Sequence, residues 1–174
     1  MRITLNGGHC PGKDPGAIGA VSEEAEICRR IMELAAADLR EQGFEVLSVQ
    51  ADDLGPVVEA SNGFESAVFV AIHCNGADNA AAHGAEVFAM SEEGELLAAG
   101  IQDRLVAIGG LADRGVKDGS WLYVLNQTEA VAVLVETAFI TNEADEALLL
   151  TVPERFAAAI SSGIADYCRE RGEE

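Results

Sequence analysis

Two histidines and one glutamate each follow an apolar stretch of strand length. His9 comes shortly after the stretch that begins the chain, His73 directly follows residues 67–72, and Glu136 directly follows residues 131–135. The carboxyl ends of parallel strands share one edge of a sheet, and ligands collect at that edge in open α/β proteins. Imidazole and carboxylate groups gathered there suit a catalytic zinc, which takes three N or O ligands and leaves one position for water.

The third zinc ligand is expected among the acidic residues that open the first long helix. Glu23, Glu24 and Glu26 all stand there, and a helix that begins at the same sheet edge brings its first turn to the site. The pattern alone leaves these three residues open. Each also has a simpler interpretation, because acidic side chains in a first turn complement the helix dipole.

Alternating strands and helices must position these residues. Helical spacing begins near Ser22 and places Ile31 and Leu34 on one face, while the apolar runs 67–72 and 130–135 are typical of strands buried on both faces. Further strands are predicted at 44–49, 85–89 and 121–125, the last of them at a sheet edge, and further helices begin near Asp53, Ser91, Asn142 and Thr151. The predicted fold class is α/β, a single-domain three-layer sandwich with a mainly parallel twisted sheet and helices on both faces.

Composition narrows the classes of function. The length of 174 residues suits one domain, residues 1–174. The net charge of −19 argues against nucleic acid as a partner, because phosphate binding needs a concentrated basic surface. Neither a signal peptide nor an apolar run of the roughly 20 residues that cross a bilayer is found in this chain, so no membrane insertion is expected.

The four cysteines are expected to be reduced thiols, although Cys10 and Cys74 each follow a candidate histidine and could form a redox-active pair.

Several short blocks occur in an order that is specific to one enzyme family. The blocks are Gly8-His9, Asp14-Pro-Gly-Ala17, an acidic helix start, Ile72-His-Cys-Asn75, Gly84-Ala-Glu-Val87, Asp113-Arg-Gly-Val116, and Val133-Leu-Val-Glu-Thr-Ala-Phe-Ile-Thr-Asn142 with a downstream Asp145. In this set and order the chain resembles the catalytic domain of the zinc-dependent N-acetylmuramoyl-L-alanine amidases of bacterial and phage cell-wall hydrolysis. The resemblance covers residues 1 to about 165, and its last long block is the most specific part.

The resemblance implies a site and a reaction. It implies that His9, Glu24 and His73 bind one Zn²⁺, with Glu24 favoured over its acidic neighbours, and that Glu136 is the catalytic carboxylate. The reaction would be hydrolysis of the amide bond between the lactyl group of N-acetylmuramic acid and L-alanine of the stem peptide. Zinc would activate water and polarise the carbonyl, and Glu136 would transfer the proton to the departing amine.

The remaining predictions concern the substrate and the place of action. Asn75 and Arg114 are candidate substrate-binding residues, and the partner is peptidoglycan or muropeptides, with the oligomeric state left open. The chain would act on the cell wall, either as a cytoplasmic protein until its release or as an exported domain of a longer precursor. Two other functions stay open: a non-catalytic peptidoglycan-binding or regulatory domain of the same fold, and a zinc peptidase that cuts within the stem peptide.

Overall fold

Residues 1–172 are described by the structure, a computed structural model, and they contain one sheet of six strands. The strands are β1 (Arg2–Gly7), β2 (Glu45–Val49), β3 (Val68–Asn75), β4 (Ala85–Ala89), β5 (Asp113–Asp118) and β6 (Val131–Phe139). Their order across the sheet is β2-β1-β3-β6-β4-β5. Four of the five neighbouring pairs are parallel, and the pair of β4 and β6 is antiparallel. The prediction of a mainly parallel sheet is therefore confirmed.

Helices cover both faces of this sheet, as predicted. They are α1 (Glu24–Glu41), α2 (Leu54–Gly63), α3 (Glu92–Val106), α4 (Tyr123–Gln127), α5 (Glu143–Thr151) and α6 (Pro153–Gly172). The larger core lies between the sheet and α1, α3 and α6, and a smaller core lies under α2 and α4 on the other face. Within residues 1–172 no single helix is long and apolar enough to cross a membrane. Only α5 and α6 together, bent by 79° where they meet, have that length and composition.

Helix α1 is the element that brings an acidic residue to the sheet edge. Ile31 is fully buried against the sheet, and Gly43, with φ of +91°, reverses the chain after the helix ends. A glycine adopts this left-handed conformation without a steric penalty. Leu34 was predicted to share the buried face, and this is wrong, because the residue lies at the margin of the buried stripe and is exposed.

The region from Asp113 to Gln127 differs from the prediction. A strand was expected at 121–125, but residues 123–127 form helix α4, which buries Val124 and Leu125 in the smaller core. The edge strand is instead β5, which was not predicted because its residues are mostly charged and carry no apolar alternation. A strand at a sheet edge has one neighbour and needs little apolar surface, so its sequence gives a weak signal.

The carboxyl ends of β1, β3 and β6 meet at one edge of the sheet, as predicted. Gly7 pairs with Ile72 in the β1–β3 register, and the Gly8 amide donates to the Ile72 carbonyl at 2.8 Å. His73 pairs with Glu136 in the β3–β6 register. Residues about sixty positions apart in the chain therefore become direct neighbours.

Candidate active site

His9, Glu24 and His73 form a compact cluster at this edge. A potential ligand atom from each residue lies within 4.8 Å of the others. The Nε2 atom of His9 is 3.2 Å from Glu24 Oε2, and the Nδ1 atom of His73 is 2.9 Å from Glu24 Oε1. The three predicted ligands are therefore brought together, and two nitrogens and one carboxylate are donors that zinc accepts in catalytic sites.

Only one of the three acidic candidates of the first helix enters the cluster. Glu24 is 3% exposed, whereas Glu23 and Glu26 are exposed to solvent, and Glu26 pairs with Arg29. Of these three acidic residues, Glu24 is the one that the fold brings next to His9 and His73.

The orientation of His9 is set by a turn that contains Asp14. His9 has φ of +58°, a left-handed conformation that is uncommon for residues other than glycine and is found at functional sites. Its Nδ1 atom lies 2.7 Å from Asp14 Oδ2, and Asp14 Oδ1 accepts a hydrogen bond from the Gly16 amide. A carboxylate on one ring nitrogen directs the other nitrogen into the cluster, which is the usual arrangement around metal-binding histidines.

The Glu24 carboxylate is held by backbone groups from both sides. Its Oε2 atom accepts a hydrogen bond from the Ala17 amide at 2.8 Å, and its Oε1 atom accepts one from the Cys74 amide at 3.0 Å. The Glu24 amide donates back to the Ala17 carbonyl at 3.0 Å. This buried acid is thereby fixed relative to both β3 and the loop that precedes α1.

Ion pairing within the cluster shifts the pKa values of its residues in opposite directions. Burial works against ionisation of Glu24, but the hydrogen bonds from His73 and His9 outweigh it and hold the pKa of the carboxyl well below its usual range. The hydrogen bond to Glu24 raises the pKa of His9 to about 9, against the opposing effect of burial. Positive charge is thus favoured next to the Glu24 carboxylate, as expected where a cation would bind.

Glu136 lines the same cleft and has the opposite electrostatic character. Burial raises its pKa to about 7, assisted by the negative charges of Glu24 and Glu86 and opposed by His73. Its Oε2 atom is buried and has no hydrogen-bond partner among the described residues. A carboxyl with a pKa near neutrality and an unused oxygen can both accept and return a proton.

The cluster opens into a cleft of about 750 Å³. Ile18, Asn75 and Thr141 are among its walls, together with His9, Glu24, His73 and Glu136. Asn75 lines this cleft, whereas the Arg114 side chain, 35% exposed, contacts Glu86 on the neighbouring strand. His83, an exposed loop residue, takes no part in the cluster.

All four cysteines are free, as expected. Cys74 is buried with its Sγ atom 3.4 Å from Thr137 Oγ1, and Cys10 is partly exposed in the turn that precedes Asp14.

Two glutamates near the cleft were not identified from the sequence. Glu86 is buried on β4 directly opposite Glu136. Glu146 on α5 is 4% exposed and accepts hydrogen bonds from Ala20, Val21 and Ser22 in the loop before α1. Glu86 stands within a recognised block, but nothing in its spacing distinguishes it from a surface residue. Glu146 stands in an ordinary acidic first turn.

Comparison with known proteins decides the family. The family model described as N-acetylmuramoyl-L-alanine amidase matches residues 3–166. The chain belongs to the N-acetylmuramoyl-L-alanine amidase family. It is therefore a hydrolase of the amidase class, and this family acts on peptidoglycan.

Similar proteins support this membership at the level of sequence and fold. The chain is 33% identical to the uncharacterized protein YqiI of Bacillus subtilis, over 95% of this chain and 84% of that protein. It is 34% identical to the N-acetylmuramoyl-L-alanine amidase LytC of Bacillus subtilis, over 96% of this chain but only 35% of LytC. The solved structure of the amidase AmiC2 of Nostoc punctiforme superposes with a TM-score of 0.90 at 27% identity, over 97% of both chains. The match in structure extends over nearly the whole three-layer fold.

Proposed function

We propose that this amidase holds one zinc ion between His9, Glu24 and His73 and uses Glu136 as its general base. The bond cut is the amide between the lactyl group of N-acetylmuramic acid and L-alanine of the stem peptide. One observation carries the proposal: the His–Glu–His cluster lines the same cleft as Glu136, whose Oε2 atom has no hydrogen-bond partner among the described residues. An open catalytic site needs three protein ligands and a proton acceptor beside them.

The residues of the cluster fit zinc in donor type and in support. The donor set is nitrogen, oxygen and nitrogen, and two of the three donors are oriented by further contacts, His9 by Asp14 and Glu24 by two backbone amides. When bound, zinc supplies Lewis acidity toward the scissile carbonyl and toward a water molecule.

Glu136 performs the proton transfers of the reaction. Its carboxylate accepts a proton from the attacking water and delivers it to the nitrogen of L-alanine as the amide bond breaks. The pKa of about 7 suits both directions of transfer near neutral pH. The Oε2 atom accepts no hydrogen bond from the described protein groups. Its lone pairs are therefore available to accept the proton of the attacking water.

Asn75 is proposed to contact the substrate at the same edge. It follows His73 by two positions and lines the cleft, and its Nδ2 atom donates to Glu86 Oε1 at 2.6 Å. Its Oδ1 atom accepts a hydrogen bond from the Gly76 amide and has a second lone pair with which it can accept one from a peptide group of the substrate. Arg114 on β5, the strand beyond the one that carries Glu86, is proposed to meet the more distant part of the stem peptide.

A direct test is product analysis with zinc-loaded protein and muramoyl-peptide fragments. Mass spectrometry should show an intact stem peptide with a free L-alanine amine. Glu136→Gln should lower the rate by about 100- to 10,000-fold, because the proton acceptor is lost. Glu95→Gln, a change at an exposed residue of α3, is the matched control and should retain wild-type activity.

The other outcomes identify the two other functions. Cleavage inside the stem peptide would make the protein a zinc peptidase. Binding of the fragments without any cleavage would make it a non-catalytic peptidoglycan-binding or regulatory domain.

A further inference from the structure

Two basic residues of β5 converge on one buried carboxylate beside the active site. The Nε atom of Arg114 lies 2.8 Å from Glu86 Oε2, and Lys117 Nζ contacts the same oxygen. Asn75 binds the second oxygen of Glu86. The Glu86 side chain is 6% exposed, whereas those of Arg114 and Lys117 are 35% and 40% exposed.

The cluster has an excess of positive charge. Two cations share a single carboxylate, so the group carries about one net positive charge when all three are ionised. The charges of Arg114 and Lys117 hold the pKa of Glu86 below its usual range in spite of burial. The whole chain carries −19 with only 11 basic residues. Two of those few basic residues are therefore placed together at the functional edge of a strongly acidic protein.

The geometry leaves hydrogen-bond donors for a ligand. Arg114 uses only Nε on Glu86, and its guanidinium lies 4.8 Å over the ring of Phe139, which limits its orientation. Among residues 1–172 no protein acceptor lies within hydrogen-bond distance of its two terminal nitrogens. A guanidinium held in this way presents paired N–H groups, which match the two oxygens of a carboxylate.

The position of the cluster determines which part of the substrate it can reach. Glu86 is the register partner of Glu136 across β4 and β6, and β5 is the next strand beyond β4. Neighbouring strands lie about 4.8 Å apart, so the basic pair is on the order of 10 Å from Glu136. An extended peptide advances roughly 3.5 Å per residue. The side chain or carboxylate of the residue after L-alanine can then cover the distance that is left between the peptide backbone and the basic pair.

We propose that Arg114 and Lys117, held by Glu86, form a subsite for a free carboxylate on the substrate residue that follows L-alanine. This inference rests on the proposed function, because it assumes that the scissile bond lies at Glu136. The subsite gives the enzyme a preference for stem peptides that carry a carboxylate at this position over those in which the same group is a carboxamide. A purely structural ion pair would stabilise β5 and show no such preference.

The test uses two muramoyl-tripeptide fragments that differ in one group of the second residue. The second residue carries either a free carboxylate or the isosteric carboxamide. Dissociation constants are measured by calorimetry with the zinc-loaded Glu136→Gln protein, so that binding is recorded without turnover. We expect the carboxylate fragment to bind roughly tenfold or more tightly, the ratio given by one hydrogen bond between charged groups. The difference should shrink with added salt.

Further substitutions in the same Glu136→Gln background assign this preference to the basic pair. Arg114→Gln should reduce the ratio to about one by weakening the carboxylate fragment alone, and Lys117→Gln should reduce it in part. Arg155→Gln, on exposed α6 surface, is the control and should leave the ratio unchanged. Arg114→Lys, which keeps the charge, should retain part of the preference and guards against a folding defect in the Gln variant.

Equal affinity for the two fragments in the parent protein, or an equal loss for both in Arg114→Gln, would overturn the subsite. Failure of the proposed function is separate from this result. It would appear as absent cleavage by the zinc-loaded wild-type protein, whatever the binding ratio.

Discussion

Gly8 and His73 are in contact across the β1–β3 boundary in a way that excludes any side chain at position 8. A Cβ atom on Gly8 would lie 2.5 Å from Nδ1 of the His73 ring. Real Cβ contacts essentially never come below 3.0 Å, so the imidazole occupies the space that a side chain would need. The glycine is thus part of the cluster, although it carries no functional group.

Gly8→Ala should therefore displace His73 and weaken zinc binding. We expect a loss in zinc affinity of about 10- to 100-fold, the range seen when groups that support metal ligands are changed. Competition with a chromogenic chelator measures this directly. Gly63→Ala is the matched control, because nothing lies within 4 Å of a Cβ there. Unchanged zinc affinity in Gly8→Ala would show that His73 is not a ligand or that the ring can move without consequence.

Asp14 should contribute to zinc affinity through His9. Asp14→Asn removes the negative charge next to His9 Nδ1 and leaves the side chain nearly the same size. We expect zinc affinity to fall about tenfold or more, with the free energy of unfolding of the metal-free protein changed by less than about 1 kcal/mol, because Asp14 is exposed. Asp53→Asn alters another exposed capping aspartate and should not affect zinc. Equal affinities in the two variants would contradict the role assigned to Asp14.

Glu146 should stabilise the loop that leads into α1. Its carboxylate is buried and binds the amides of Ala20 and Val21 at 3.0 Å and the Ser22 hydroxyl at 2.5 Å. Glu146→Gln places an amide N–H group against these donors, so we expect the free energy of unfolding to fall by about 1–3 kcal/mol. Denaturant unfolding measures the change, and Glu143→Gln in the same helix turn, at an exposed position, should cost less than about 0.5 kcal/mol.

Limited proteolysis adds a local measure of the same effect. Cleavage within residues 17–22 should become faster in Glu146→Gln than in the Glu143→Gln control. A loss of global stability without faster cleavage there would place the role of Glu146 elsewhere in the fold.

Glu136 should make the stability of the metal-free protein depend on pH. Its pKa in the folded protein is about 7, because burial favours the neutral acid, while the value in the unfolded chain stays near 4.5. The folded state therefore keeps a proton that the unfolded state releases between these values. This contribution is fully present below about pH 4.5 and is lost as pH rises to 7.

Glu136→Gln removes this titration and isolates its effect. The stability of the variant relative to wild type should increase by on the order of 1–3 kcal/mol from pH 4.5 to 7 and stay constant above. Groups that do not interact with Glu136 cancel in the comparison of the two proteins. Urea unfolding of both proteins in the presence of a chelator gives the curve, and a flat difference would contradict the raised pKa.

The sequence by itself determined the fold class, the sheet edge at which the reactive residues gather, and the candidate residues of the cluster. Apolar runs such as 67–72 are long enough to be buried on both faces, and His73 and Glu136 each stand directly after such a run, so the local pattern was sufficient to place these two residues at one edge. Family blocks then favoured Glu24 over Glu23 and Glu26. In the structure, α1 begins with Glu24 turned toward His73, and Glu23 and Glu26 are exposed to solvent.

Only the tertiary structure decided the surroundings of that cluster. Strand β5 and helix α4 were misassigned, because a charged edge strand carries no apolar alternation and a short helix can carry a strand-like apolar run. The contacts of Glu86 with Arg114 and of Glu146 with Ala20 join residues 28 and 126 positions apart. No local pattern encodes such contacts, because they depend on which strands and loops become neighbours when the sheet closes. The chain thus specifies its chemistry locally, and folding specifies the charge and shape that surround it.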